Sequence, residues 1–303
     1  MAINSVQVII GEQTHTLTLN LSTGCYEKTI TAPSMSSYNV NNDHYYPVTV
    51  KATDTAGNTT IVNDSDSVLG SDLKLQVKEI TKPAITITSP TESARITNNK
   101  PKISWKITDD DSGVDPDTIG ITINSGNKIT SGITKIAITG GYQCTYTIST
   151  ALPDGNNTIK IDGSDYDGNA AVQRSITFVV DTVPPTLTIS SPANNLVTNN
   201  SMVTVAGITN DVTSSPVTLT VKHNDELAES VTVGSNGAFS TTLSLIEGAN
   251  TIVITATDSA GKSSSVTRTV TLDTQAPIIN EITITPNPVS TGELITVSVK
   301  VTD

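Results

Sequence analysis

The densest set of potential ligands in the chain is Thr108-Asp109-Asp110-Asp111-Ser112-Gly113-Val114-Asp115-Pro116-Asp117, which packs five acidic side chains into nine residues. Carboxylates this crowded repel unless water or a cation neutralises them. Calcium suits such a loop, because it takes roughly six to eight hard oxygen ligands from flexible segments. Asp109, Asp111 and Asp115 are the three expected to share one ion. The spacing is not that of an EF-hand, which needs Gly at the sixth position and a closing Glu at the twelfth. A hydrated loop braced by Asx-turns is the alternative reading of the same residues.

Catalytic constellations are harder to assemble. His15, His44 and His223 are widely spread, and none adjoins a Gly-x-Ser-x-Gly elbow or a metal-ligand pair. Asp165 and Asp167 fall in a turn rather than a cleft, which is a poor setting for acid–base work. Cys25 and Cys144 are far apart in sequence and are expected as free thiols, not as an intersheet bridge. No enzyme is expected, and no cofactor beyond calcium.

The elements that must hold these side chains are set by a repeat. Ala256-Thr257-Asp258-Ser259-Ala260-Gly261-Lys262 has copies at Ala52-Thr53-Asp54-Thr55-Ala56-Gly57-Asn58 and at Gly163-Ser164-Asp165-Tyr166-Asp167-Gly168-Asn169. Each copy lies between alternating apolar runs, such as Thr251-Ile252-Val253-Ile254-Thr255 and Val266-Thr267-Arg268-Thr269-Val270. That pattern predicts a β-hairpin: Asp braces the turn through its own backbone, and Gly supplies the positive φ. Aspartates 54, 165 and 258 recur at intervals of 111 and 93 residues, close to the roughly 100 residues of an immunoglobulin-type sandwich.

A second landmark marks where a repeat ends. Val180-Asp181-Thr182-Val183-Pro184-Pro185 and Leu272-Asp273-Thr274-Gln275-Ala276-Pro277 carry a strand into Asp-Thr and then Pro, which cannot donate to a ladder. The expected architecture is all-β, with tandem immunoglobulin-like modules at 83–183 and 184–275, an N-terminal immunoglobulin-like or attachment module at 1–82, and an incomplete module or partner-pairing hairpin at 276–303. In module two, Ile103, Trp105 and Ile107 alternate onto one face, so Trp105 is expected in the core. Tyr38, Tyr45 and Tyr46 are expected to pack in the core and rim of module one.

Composition agrees with this reading. Aromatic residues make up 3% and charged residues 15% of the 303 residues, while β-branched and turn-forming types dominate. The net charge of −12 opposes binding to nucleic acid, whose phosphates need a basic face. No apolar run is long enough for a membrane span. Met1 to Ile10 lacks the charged and apolar regions of a signal peptide and reads as a first strand, so export by a cleaved signal is not expected.

The pattern apolar-x-Ala-Thr-Asp-x-Ala-Gly-Asn followed by Asp-Thr-x-x-Pro resembles the bacterial immunoglobulin-like (Big-type) repeats of surface proteins and phage virion proteins. The opening of the chain is similar to immunoglobulin-like proteins encoded among the tail genes of Gram-positive phages and prophages. The resemblance implies a non-enzymatic structural and host-surface-binding part of a phage tail, baseplate, fibre or tail-like particle, made in the host cytoplasm. Implied partners are other tail and baseplate proteins, in multiple copies, and host cell-surface polysaccharide, with neither nucleic acid nor membrane. The alternative is a bacterial cell-surface adhesin or stalk fragment. The hairpin turn also looks a little like that of cadherin repeats, but the Asn-Asp pair of cadherin calcium linkers is missing from Asp181-Thr182 and Asp273-Thr274, which argues against calcium at the linkers.

Overall fold

A computed structural model describes residues 2–303. Strands hold 53% of the chain and helix 2%, so the fold is all-β with tandem immunoglobulin-like domains. The chain divides into two compact units, one built from residues up to Ala94 with Lys100–Phe178 and the other from Arg95–Asn99 with Val179–Asp303.

The N-terminal segment contributes β1 (Ile3–Ile10), β2 (Gln13–Asn20), β3 (Cys25–Glu27), β4 (Tyr46–Asp54), β5 (Thr59–Val62) and β6 (Lys74–Leu75). These form one sheet, ordered β3-β2-β1-β4-β5, with β6 also on β4. The segment therefore departs from a two-sheet sandwich. The physical reason is a thin core, in which Tyr45 and Val48 are the buried apolar residues of this segment among those described, each still 9% exposed. Tyr45 is buried and donates its hydroxyl to Asp64 Oδ2 at 2.7 Å, and Tyr46 lies at the rim.

Module two comprises β7 (Ala84–Ser89), β8 (Arg95–Ile96), β9 (Lys102–Thr108), β10 (Val114–Ile123), β11 (Thr134–Ile138), β12 (Gly141–Thr147), β13 (Gly155–Asp165) and β14 (Arg174–Val180). Its two sheets run β10-β13-β14-β8 and β11-β12-β9-β7. Alternation on β9 turns Ile103, Trp105 and Ile107 inward, all fully buried. They share the interior with Ile119, Ile121, Ile159, Ile161 and Phe178.

Module three comprises β15 (Thr186–Ser191), β16 (Leu196–Thr198), β17 (Met202–Asn210), β18 (Thr218–His223), β19 (Glu229–Val231), β20 (Ala238–Ser244), β21 (Gly248–Thr257) and β22 (Ser263–Leu272). Its sheets run β15-β17-β20 and β16-β22-β21-β18-β19. They enclose a core of Val203, Val205, Leu219, Val221, Phe239, Ile252, Ile254 and Val270 among others. In both sandwiches the first strand pairs antiparallel in one sheet and stops at Ser-Pro. The chain then crosses over, so that β8 and β16 run parallel to the last strands, β14 and β22. Proline ends the first ladder by removing a donor, which frees the chain to change sheets. The last strands, β23 (Ile278–Thr285) and β24 (Thr296–Thr302), pair with each other as an exposed hairpin.

Candidate metal centres

The repeated aspartate does the same structural job three times. Asp54 Oδ1 accepts the N–H groups of Ala56 and Asn58 at 2.8 and 2.9 Å, and Asp258 Oδ1 those of Ala260 and Lys262 at 2.8 and 2.9 Å. Asp165 Oδ1 accepts the N–H of Asn169 at 2.8 Å. The glycines Gly57, Gly168 and Gly261 take φ of 90, 93 and 93°, the left-handed region that closes the turn. One difference separates the copies. Asn58 and Asn169 each donate a side-chain amide to the second oxygen of their aspartate at 2.8 Å, and Lys262 has no amide to give. Asp258 Oδ2 is consequently buried without a hydrogen-bond partner.

The Asp258 carboxylate has acidic neighbours. Asp181, Asp211 and Asp258, all buried, each bring one carboxylate oxygen to within 4.8 Å of the other two. Asp181 comes from the Asp-Thr segment that leads into module three, and Asp211 and Asp258 directly follow β17 and β21. Asp181 is wholly buried; its Oδ1 accepts the N–H of Val183 at 3.1 Å and its Oδ2 has no partner. Asp211 Oδ1 is held by the N–H groups of Thr213 and Ser214, and the buried Oγ of Ser214 also lacks a partner.

Module two repeats the arrangement with Glu79, Asp109 and Asp165. Glu79 precedes β7, Asp109 directly follows β9, and Asp165 ends β13. Glu79 Oε1 accepts the N–H and hydroxyl of Ser112 at 3.0 and 2.8 Å, while Asp109 Oδ1 accepts the N–H groups of Asp111 and Gly113 at 3.1 and 3.0 Å. Glu79 Oε2 and Asp109 Oδ2 remain buried and unpartnered. Burial pushes the Asp109 carboxyl above its ordinary range, and neighbouring Glu79 adds to the rise. For Glu79 burial is the largest influence and acts upward too, but the hydrogen bonds to the group, led by the two Ser112 donations, together outweigh it and hold the group below its usual value. Like charges about 4 Å apart repel by about 4 kcal/mol at an effective dielectric of about 20, so each triad is electrostatically unfavourable on its own. An ion pair forms elsewhere, between Lys128 and Asp162.

Of the three aspartates expected to share an ion, Asp109 alone enters such a group among the described residues. Asp111 turns away: both its carboxylate oxygens accept the Ser36 N–H at 3.0 Å, and its carbonyl accepts the Asn39 amide at 2.7 Å. Asp115 braces its own turn by accepting the Asp117 N–H at 2.9 Å. The same N-terminal surface stacks Tyr38 between His44 and Tyr166, with ring centroids 4.0 and 4.1 Å apart. Glu79, Asp181 and Asp211 escaped sequence reasoning because they are isolated acids. The signal was positional: each precedes the first strand of its sandwich or follows the strand that enters the core.

The other reactive residues have structural employment. His223 Nε2 lies 2.9 Å from Asn250 Oδ1, and Asp167 Oδ2 accepts the Glu79 N–H at 3.0 Å. Both cysteines are free thiols; Cys25 is exposed, and burial pushes the Cys144 thiol up to about 11. A cavity of 640 Å³ in the N-terminal segment is lined by Glu12, His15, Pro33, Met35 and Tyr46 among others. No helix among the described residues is long and apolar enough to cross a membrane.

Residues 185–274, which span β15 to β22, match the family described as glucodextranase, domain B. No match was found among curated proteins. Several solved structures are similar to the chain. Fibronectin(III)-like modules of CbhA from Clostridium thermocellum are 16% identical, with 62% of this chain and 94% of that one covered at a TM-score of 0.39. A segment of titin domains is 11% identical over 89% of this chain and 93% of the other, with a TM-score of 0.44. Sidekick-1 immunoglobulin domains 1–5 are 11% identical over 98% of this chain and 60% of that one, at 0.39.

Proposed function

We propose that the chain is a non-enzymatic structural component of a phage tail, baseplate, fibre or phage-tail-like particle, in which immunoglobulin-like modules act as spacers and present loops to the host surface. The observation that carries this reading is the use made of the interior. Both sandwiches are filled by apolar side chains such as Trp105, Phe178 and Ile254, and the histidines and cysteines are engaged in packing or lie apart. What distinguishes the modules is their repetition and the segments that join them. The resemblance of the repeat and of the chain's opening to tail-encoded immunoglobulin-like proteins supplies the setting. In that setting the partners are other tail and baseplate proteins, in multiple copies, with host cell-surface polysaccharide as the ligand. Location is the virion, after synthesis in the host cytoplasm.

A bacterial cell-surface adhesin or stalk is the second reading. It is favoured by the same Asp-Thr-x-x-Pro junctions, which also fit a stalk of repeats.

Negative-stain microscopy of particles from the native source, labelled with an antibody against module three, separates the two. Label on tails or tail-like particles is the expected result. Label confined to cell walls overturns the virion reading and leaves the adhesin.

A further inference from the structure

Each sandwich carries one acid from the segment that leads into it, one directly after the strand that carries the buried face, and one from the repeated hairpin. These are Glu79, Asp109 and Asp165 in the first case and Asp181, Asp211 and Asp258 in the second. We propose that both triads are calcium sites, a repeated device that ties each incoming segment to the loop and hairpin of the module it enters.

Three features point to a cation. First, five of the six carboxylate residues are buried rather than solvated, with Glu79 half-buried: Asp181 is fully buried, and Asp109 and Asp258 are 5% exposed. Second, Asp181 Oδ2, Asp258 Oδ2, Asp109 Oδ2 and Glu79 Oε2 are sequestered from water with no hydrogen-bond partner, a state that is costly unless something electropositive faces them. Third, backbone N–H groups fix the other oxygen of Asp109, Asp181, Asp211 and Asp258. The free oxygens are therefore already oriented before any ion arrives.

The donor set selects the metal class. All the ligands are carboxylate oxygens, with no imidazole or thiolate, which favours a hard cation. Oxygens lying within 4.8 Å of one another fit around a calcium ion with Ca–O contacts of about 2.3–2.6 Å, the remaining positions being filled by water or backbone carbonyls. The Asp181 site should be the tighter of the two. At Asp165 the Asn169 amide already occupies the second oxygen, and Ser112 occupies Glu79 Oε1.

Equilibrium dialysis of the full chain against calcium at about 10 mM, roughly tenfold or more above the dissociation constants of about 0.1–1 mM of extracellular calcium modules, tests the proposal. Two ions per chain are expected, one in Asp181→Asn, and none in the double variant Asp109→Asn/Asp181→Asn. Asparagine keeps the Oδ1 acceptor, and circular dichroism in chelator confirms that the variants fold. Asp115→Asn, outside both triads, should retain two. Calcium should raise the melting temperature of the wild-type chain relative to chelator. Fewer than two ions on the wild-type chain overturns the proposal whether or not any variant folds. So do two ions retained by the folded double variant.

Discussion

At the scale of single residues, Lys262 is the informative one. Where Asn58 and Asn169 cap the second oxygen of their hairpin aspartate, Lys262 leaves Asp258 Oδ2 bare. Lys262→Asn should restore the amide cap and stabilise calcium-free module three by about 1 kcal/mol, the net worth of a typical hydrogen bond. It should also shrink the calcium-induced rise in melting temperature, because the amide then competes with the ion. Calorimetry in calcium and in chelator reads both effects; an unchanged calcium response would show that Asp258 Oδ2 is not a ligand. A second residue-scale expectation concerns Cys144, whose thiol sits at about 11 against an ordinary 9.0 because of burial. Raised in the folded state, the group contributes stability that is fully present below pH 9 and lost as pH rises towards 11. Denaturant midpoints measured across that window should fall, and those of Cys144→Ser should fall less. At this scale the sequence was only partly legible. Asp109 stood out by its neighbours, but its partners Glu79 and Asp165 come from other segments of the chain. Hydrogen bonds to the N-terminal surface, invisible in the local pattern, drew Asp111 away.

The elements were far more legible, because strand periodicity and turn chemistry are local. The three Asp-to-Gly hairpins form as the repeat predicts, with Thr257 paired to Ser263 across the last of them. The alternation Ile103, Trp105, Ile107 correctly gave the inward face of β9. Trp105→Ala should cost module two about 3–5 kcal/mol by leaving a large cavity in a core poor in aromatics, measurable as an early unfolding transition. In module three the constraint runs the other way. A Cβ at Gly207 would meet Thr188 O at 2.2 Å and Phe239 Cζ at 2.8 Å. Gly207→Ala should therefore push β15 off β17 and cost about 1–3 kcal/mol; an unchanged melting temperature would mean that β15 is only loosely held. The N-terminal segment was less legible than the sandwiches. Its strands were recognisable, but whether a second sheet covers them depends on how many side chains find a buried place, and Tyr45 and Val48 are too few.

At the scale of the whole molecule, burial is concentrated in the two sandwiches and is absent from the C-terminal hairpin. Every residue from Asp273 to Asp303 is exposed, including Ile282 at 60% and Leu294 at 91%. Two strands alone are marginal in water, so β23 and β24 contribute little to cooperative stability in this chain. Ending the chain after Gln275 should accordingly leave the melting temperature of module three within the error of measurement, and hydrogen exchange should find the β23 and β24 amides unprotected while those of β21 are strongly protected. A clear fall in melting temperature on truncation, or slow exchange in β23, would show that the hairpin packs against the sandwich or against a second copy of the chain. The contrast follows from the register itself. Strand β21 sits between β18 and β22, with Ile252 and Ile254 wholly buried, whereas β24 has β23 on one side only. Unpaired N–H and C=O groups along β23 and β24, flanked by exposed isoleucine and valine, offer a template for a further strand. Addition of that strand should be what converts the hairpin from exchanging to protected.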